Sequence, residues 1–156
     1  PKNKFNFNYA IVSNNALVNI EGLDISFRVI ETPGHTLDHI VFADQDHLFC
    51  GDTLFGCGCG KLFEGTHLQM HNSLKTISTL PSRIKVYCAH EYTKKNIEFA
   101  LTIDKDNQHL ISRKLNVLNE DITLPSTLGE ELKTNPFLRS KNLDQFTERR
   151  KRKDNF

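Results

Sequence analysis

The chain has 156 residues, 38% of them hydrophobic and 25% charged, with a formal net charge of +1. That is enough chain to bury a core in one medium domain or two small ones, and so even a charge balance gives no global electrostatic case for a nucleic-acid partner. No apolar run approaches the roughly 20 residues a membrane-spanning helix needs, and no signal-peptide pattern opens the sequence, so neither a membrane nor a secretory role is expected.

In chain order, residues 9–50 alternate as short strands do. Tyr9–Val12, Ala16–Ile20, Ile25–Ile30, Ile40–Ala43 and His47–Cys50 are β-prone runs, separated by turn residues at Ser13-Asn14-Asn15, Glu21-Gly22, Pro33-Gly34 and Asp44-Gln45-Asp46. An antiparallel meander feeding a larger sheet is expected. Residues 51–65 are glycine-rich, which suits close backbone approach. From Thr66 to Leu80 the residues Leu68, Leu74, Ile77 and Leu80 form a helical stripe, with Thr66 as N-cap and Pro81 as terminator. Ile84–Cys88 is again a strand, and the order strand, helix, strand predicts a layered α/β sheet. Beyond Thr93 the strand signals stop. Asn96–Ile103 and Asn107–Leu118 read as helices, the second with Leu110, Ile111, Leu115 and Leu118 on one stripe. Pro125-Ser126-Thr127 reads as a helix start, and Asn142–Arg152 as a terminal basic helix containing Arg149-Arg150-Lys151-Arg152-Lys153. A domain boundary is placed near residues 91–96.

The four cysteines, Cys50, Cys57, Cys59 and Cys88, are read as free thiols. Cys57 and Cys59 are closer together than the usual zinc-ligand spacing, which disfavours a structural zinc site.

Three short motifs carry the chemistry: Thr32-Pro33-Gly34-His35-Thr36, Gly51-Asp52-Thr53-Leu54-Phe55 and Cys88-Ala89-His90-Glu91-Tyr92-Thr93. Each puts a His or Asp where a strand opens into a loop, the edge of an α/β sheet where ligands collect. Neutral imidazole and carboxylate oxygen together suit Zn²⁺, Mn²⁺ or Fe. A carboxylate between two His-bearing loops can be shared by two cations. Taken singly, each of these residues is as readily a turn or surface residue; the ordered combination points to metal.

That motif series, with Gly58-Cys59-Gly60-Lys61, Glu64-Gly65-Thr66, the late Asn135-Pro136-Phe137-Leu138-Arg139 and the terminal basic helix, resembles glyoxalase II, the hydroxyacylglutathione hydrolases of the metallo-β-lactamase superfamily. The resemblance implies an α/β (α+β) fold: residues 1–93 as the C-terminal part of an αββα sandwich, then a small helical, glutathione-binding domain over 94–156. It implies two divalent metals, with His35 and His90 as terminal ligands and Asp52 as the catalytic bridging carboxylate. Lys61, Phe63 and Tyr92 match positions that hold glutathione, and Arg150 and Lys153 match basic residues for its carboxylates. The implied reaction is hydrolysis of S-D-lactoylglutathione to glutathione and D-lactate, in methylglyoxal detoxification, by a monomeric cytoplasmic enzyme. Phe63 stands where Tyr is common, so one hydrogen bond to glutathione is expected to be lost. The family's Thr-His-x-His-x-Asp-His motif, which supplies two ligands to each metal, is absent from these residues. Pro1 rather than Met opens the chain. A fragment or processed product, inactive alone, is therefore expected. A truncated remnant and another hydrolase of the superfamily, such as a lactonase or a persulfide dioxygenase, are the alternatives. His39 is expected to support the site by a hydrogen bond; His47, His67, His71 and His109 are expected at the surface.

Overall fold

A computed structural model describes residues 10–156. Eight strands and five helices follow one another among these residues. The strands are β1 (Leu17–Asn19), β2 (Ser26–Glu31), β3 (Ile40–Ala43), β4 (His47–Gly51), β5 (Leu54–Phe55), β6 (Gly58–Cys59), β7 (Lys85–Cys88) and β8 (Ser126–Thr127). The helices are α1 (His67–Ser78), α2 (Thr93–Ile103), α3 (Gln108–Val117), α4 (Leu128–Thr134) and α5 (Leu143–Asp154). Of the strand expected at Tyr9–Val12, Tyr9 lies outside the described residues and 10–12 are not in a strand.

Six strands form one sheet in the order β1-β2-β3-β4-β7-β8, and β5 and β6 form a separate hairpin. The meander is antiparallel from β1 to β4, then β4 pairs with β7 in parallel. Parallel pairing needs a long crossover, and α1 supplies it. Thr66 caps α1 by accepting from the Gln69 N–H, while the Gln69 side chain accepts from the Thr66 N–H at 2.8 Å, a reciprocal capping box.

In β4, Leu48 and Cys50 are buried and Phe49 between them is 43% exposed, the period-two alternation of a strand with one covered face. Leu48, Val86 and Val41 share a core with Met70, Leu74 and Ile77 of α1 and with Phe99, Leu128, Phe137 and Phe146 from the helical segment. The opposite face carries an aromatic row, with Phe27 against Phe49 at 5.5 Å and Phe49 stacked on Tyr87 at 5.1 Å.

Pro125–Thr127 leads into a helix as expected, with Thr127 capping α4, and Ser126 and Thr127 also form a short strand, β8, paired antiparallel with β7. Two expectations differ from what is found. The stripe proposed on α3 is not a core stripe: Leu110 is buried, but Leu115 and Leu118 are 66% and 58% exposed. The other buried residue of α3 is Arg113, because its partner Glu131 lies within the structure. His71 is buried rather than at the surface, its ring 5.4 Å from that of Phe146, and burial holds its pKa below the ordinary value.

Candidate functional site

β2 and β4 are both antiparallel to β3, and β4 is parallel to β7, so β2, β4 and β7 run in one direction. Their C-terminal ends share one sheet edge. His35 follows β2, Asp52 follows β4 and His90 follows β7, which is why three residues spread over 56 positions meet. The two oxygens of Asp52 face different imidazoles. Oδ2 is 3.8 Å from His35 Nε2, and Oδ1 is 3.3 Å from His90 Nε2. Among the described residues, no three His, Cys, Asp or Glu side chains converge on one metal position. The arrangement is instead two His–carboxylate pairs sharing Asp52, and these are donors that suit Zn²⁺, Mn²⁺ or Fe.

Backbone groups set the orientation of the rings. His35 Nδ1 lies 2.8 Å from the Lys61 carbonyl. A carbonyl only accepts, so Nδ1 carries a proton, and the ring is held with Nε2 turned towards Asp52. His39 accepts from the Asp52 N–H at Nε2 (3.2 Å), which puts its own proton on Nδ1, 2.9 Å from Thr53 Oγ1. Thr53 and Thr32, both fully buried, lie 3.0 Å apart and close this network. The supporting hydrogen bond expected of His39 is therefore made, and it is made to the Asp52 backbone. Burial, reinforced by His35 and opposed by Asp52, keeps the His39 pKa below its ordinary value.

Two glycines make the geometry possible. Gly51 has φ +50°, and a Cβ there would stand 3.0 Å from His39 Nε2. At Gly60 a Cβ would lie 1.9 Å from the Asp52 carbonyl oxygen and 3.3 Å from His35 Nδ1.

A cleft of about 380 Å³ lies beside the histidines, lined by Lys61, Tyr92, Lys95, Asn96, Arg150, Lys153, Asp154 and Phe156. It gathers four of the five residues expected to hold a ligand. Tyr92 joins the cleft to the site, since its ring stacks on His90 at 4.8 Å and 18°. Lys61 joins it on the other side, through the carbonyl that holds His35. Phe63 is the fifth, and it does not line the cleft: it is 69% exposed with its ring 4.9 Å from that of His35. Lys153 Nζ sits over the rings of Phe99 and Phe156 at 5.2 and 5.0 Å. Arg150 is turned inward, donating to the Cys59 carbonyl (2.9 Å) and to Asp154 Oδ1 (2.9 Å).

A buried polar network behind the site has no counterpart in the sequence reading. Arg113 donates to Glu131 Oε1 at 2.6 Å and to Thr134 Oγ1 at 2.7 Å. Glu131 Oε2 accepts from the Cys57 N–H (2.8 Å) and from Asn135 Nδ2 (3.1 Å), and Asn135 Nδ2 also reaches the Gly58 carbonyl (2.9 Å). The network ties α3 and α4 to the β5–β6 hairpin, which leads directly to Gly60 and Lys61. Asn135 belongs to the late Asn-Pro-Phe motif, which the sequence reading used only for the family resemblance. Cys57 and Cys59 point to different guanidiniums, those of Arg113 and Arg150, and burial pushes their thiols up to about 12 and about 11. All four cysteines are free.

Residues 6–90 match the family model described as Metallo-beta-lactamase superfamily, and residues 91–156 match Hydroxyacylglutathione hydrolase C-terminus. A hydroxyacylglutathione hydrolase of Pelagibacter ubique is 47% identical over 136 residues, covering 83% of this chain and 56% of the relative. One from Rhodospirillum rubrum is 53% identical over 123 residues, covering 75% of this chain and 48% of the relative. The chain thus spans about half the length of the curated relatives it matches. Among solved structures, ETHE1 from Myxococcus xanthus superposes with a TM-score of 0.65 at 26% identity, covering 90% of this chain and 50% of that one. A metallo-beta-lactamase from Staphylococcus aureus superposes with a TM-score of 0.63 at 24% identity, covering 89% of this chain and 38% of that one, and shows the shared fold. No helix among the described residues is long and apolar enough to cross a membrane.

Proposed function

The chain belongs to the metallo-beta-lactamase superfamily, in its hydroxyacylglutathione hydrolase branch, and on that premise we propose that it carries the glutathione-holding cleft and the shared carboxylate of a two-metal thioester hydrolase. The observation that carries this reading is the position of Asp52, with one oxygen towards each imidazole, beside a cleft lined by lysines.

The donors fit divalent cations. Each His turns its Nε2 towards Asp52, His35 with its Nδ1 held at the Lys61 carbonyl, and Asp52 offers one oxygen to each side. Each cation would take one imidazole and one carboxylate oxygen from the described residues, and the rest of its coordination from elsewhere. When bound, such cations supply Lewis acidity for attack of water on a thioester carbonyl. His39 holds the Asp52 backbone, Tyr92 braces His90, and the lysines of the cleft hold the carboxylates of glutathione. The C–S bond breaks, water supplies the hydroxyl and a proton, and the products are a 2-hydroxy acid and the thiol of glutathione. The match of residues 91–156 to the hydroxyacylglutathione hydrolase model supports this substrate class over a lactone.

With two protein ligands per cation, the chain alone should bind Zn²⁺ weakly and turn over little S-D-lactoylglutathione. Glutathione itself should bind without metal. Titrate the chain with glutathione and with Zn²⁺, then assay thioester hydrolysis for wild type and Asp52→Asn. Residual zinc-dependent turnover is expected to vanish in the variant while glutathione binding persists. Turnover by the chain at ordinary enzyme rates, or turnover indifferent to Asp52→Asn, would overturn the reading.

A further inference from the structure

His90 differs from the other two histidines of the site in how it is held. His35 Nδ1 is fixed at the Lys61 carbonyl, and both nitrogens of His39 are engaged. The His90 ring turns Nε2 towards Asp52 and makes no hydrogen bond through Nδ1 among the described residues. Its orientation rests on packing against Tyr92 at 4.8 Å and Phe55 at 5.9 Å, and on the backbone that carries it. That backbone is a three-residue turn, closed by the Tyr92 N–H on the His90 carbonyl at 3.0 Å, with Glu91 at its centre.

The Glu91 carboxylate is taken up by the connection between α3 and β8. It accepts from the Thr123 N–H (3.2 Å to each oxygen), from the Thr123 hydroxyl (2.7 Å to Oε2) and from the Leu124 N–H (3.2 Å to Oε1). A carboxylate just ahead of a helix ordinarily favours the free N–H groups of its first turn. Here the N-cap of α2, Tyr92, has no side-chain partner, yet Glu91 is committed elsewhere. Glu91 is exposed, but its donors are neutral and two of them are backbone, so the bonds are charge-assisted without ordering a second long side chain. Lys94 adds another tie, its Nζ donating to the Leu118 carbonyl at 3.1 Å. Residues 91–94 therefore hold the segment 118–124 at both ends.

We propose that Glu91 is a positioning residue of the site: strapped to Thr123 and Leu124, it fixes the turn that aims the His90 ring at Asp52 and lays the Tyr92 ring against it. That this aim serves a cation rests on the two-metal reading of the site. Glu91 belongs to the His90-Glu91-Tyr92-Thr93 motif, and it is the member to which the site and the cleft give no other task.

The test uses the full chain without metal, by NMR of the histidine ring protons at one alkaline pH for all variants. The Tyr92 ring lies nearly parallel to the His90 ring, at 18°. The His90 protons should therefore resonate upfield of those of the exposed His109, and Tyr92→Leu should abolish that displacement. Glu91→Ala should lose most of it. Glu91→Gln, which keeps one acceptor oxygen, should restore part, and Thr123→Val, which removes the shortest bond from the other side, should lose part. The ring protons of His35 and His39 should stay in place throughout, since Lys61, Thr53 and the Asp52 N–H hold those rings. Zn²⁺ titrated into the chain should reach His90 at about tenfold higher concentration in Glu91→Ala, the scale of a lost supporting contact, with the His35 response unchanged. If Tyr92→Leu moves the His90 protons and Glu91→Ala does not, Glu91 does not set the turn and the proposal fails. If Tyr92→Leu leaves them unmoved, the stack itself is absent and the proposal fails with it. If Glu91→Ala shifts His35, His39 and His109 as much as His90 and lowers the thermal midpoint, Glu91 only holds the fold, and the positioning role is overturned. If the metal-free spectra behave as expected but Zn²⁺ never reaches His90, the two-metal reading falls while the positioning of the ring stands.

Discussion

Replacing Glu131 by Gln keeps the shape of the side chain and removes its charge. In the native fold Glu131 is fully buried and accepts from three donors: Arg113 at 2.6 Å, the Cys57 N–H at 2.8 Å and Asn135 Nδ2 at 3.1 Å. A glutamine turns one acceptor into an NH₂ group, so a donor must face a donor. It also leaves the Arg113 guanidinium, 2% exposed, without its buried counter-charge. Burial alone would lower the pKa of Arg113, and Glu131 is the largest influence opposing that and raising it. Removing one member of a buried pair costs about 3–5 kcal/mol. Glu130 offsets part of this, since its half-exposed carboxylate lies 3.4 Å from Arg113 Nε. A loss of about 3 kcal/mol is therefore expected, a large share of the roughly 5–15 kcal/mol that holds a domain folded. At about 2–4 °C per kcal/mol for a chain of this size, Tm should fall by about 6–12 °C. Urea unfolding should show a lower midpoint with an unchanged slope. The double variant Arg113→Met, Glu131→Leu should recover only part of the loss, because it removes both charges together but leaves the buried Cys57 N–H without its acceptor. A loss below about 1 kcal/mol for Glu131→Gln would refute the claim that this pair anchors the hairpin.

His39→Ala removes the acceptor for the Asp52 N–H and frees the buried Thr32–Thr53 pair, so Zn²⁺ affinity should fall about 10–100-fold by chelator competition while the chain stays folded; an unchanged affinity would show that Asp52 needs no such support. Lys153 supplies a pH signature. Its pKa is held below the ordinary 10.5 by burial first, then by Arg150 and Lys95, with Glu98 and Cys59 opposing. The folded state therefore releases this proton before the unfolded state does, so stability should rise with pH between the lowered value and 10.5. Glutathione binding should run the other way, full below that window and lost as pH climbs through the lowered value. Lys153→Arg should move this alkaline loss upward, and an identical pH profile for the variant would exclude Lys153 as the titrating group.

The sequence disclosed the residues whose chemistry shows in their type and in their place at a strand end. His35, Asp52 and His90 each follow a β-prone run, and the alternation of those runs was enough to put them on one sheet edge. The exposed Leu115 and Leu118, and Arg113 on the buried side of α3, were not legible. Whether a helical stripe is buried depends on what packs against it, and the partner of Arg113 is 18 residues further on, in another helix. Arg150 illustrates the same limit at the site. In a run of five consecutive basic residues, pattern alone does not say which guanidinium turns inward, and the packing of α5 around Phe146 and Arg150 decides it.

Lys61 shows why the His35–Asp52 pair and the cleft are one unit. Its carbonyl holds His35 Nδ1, and its side chain lines the cleft. Both depend on the chain passing close over Asp52 at Gly60, where any Cβ would collide with the Asp52 carbonyl. That passage is held from behind by the β5–β6 hairpin, whose backbone is gripped by Glu131 and Asn135 and whose Cys59 carbonyl is gripped by Arg150. The helical segment therefore does more than add a basic surface. By holding the hairpin it sets where Lys61 can stand, and through the Lys61 carbonyl it sets which nitrogen of His35 faces Asp52. A disturbance at Glu131 should thus reach His35 through backbone alone, without any change in the residues that touch a ligand.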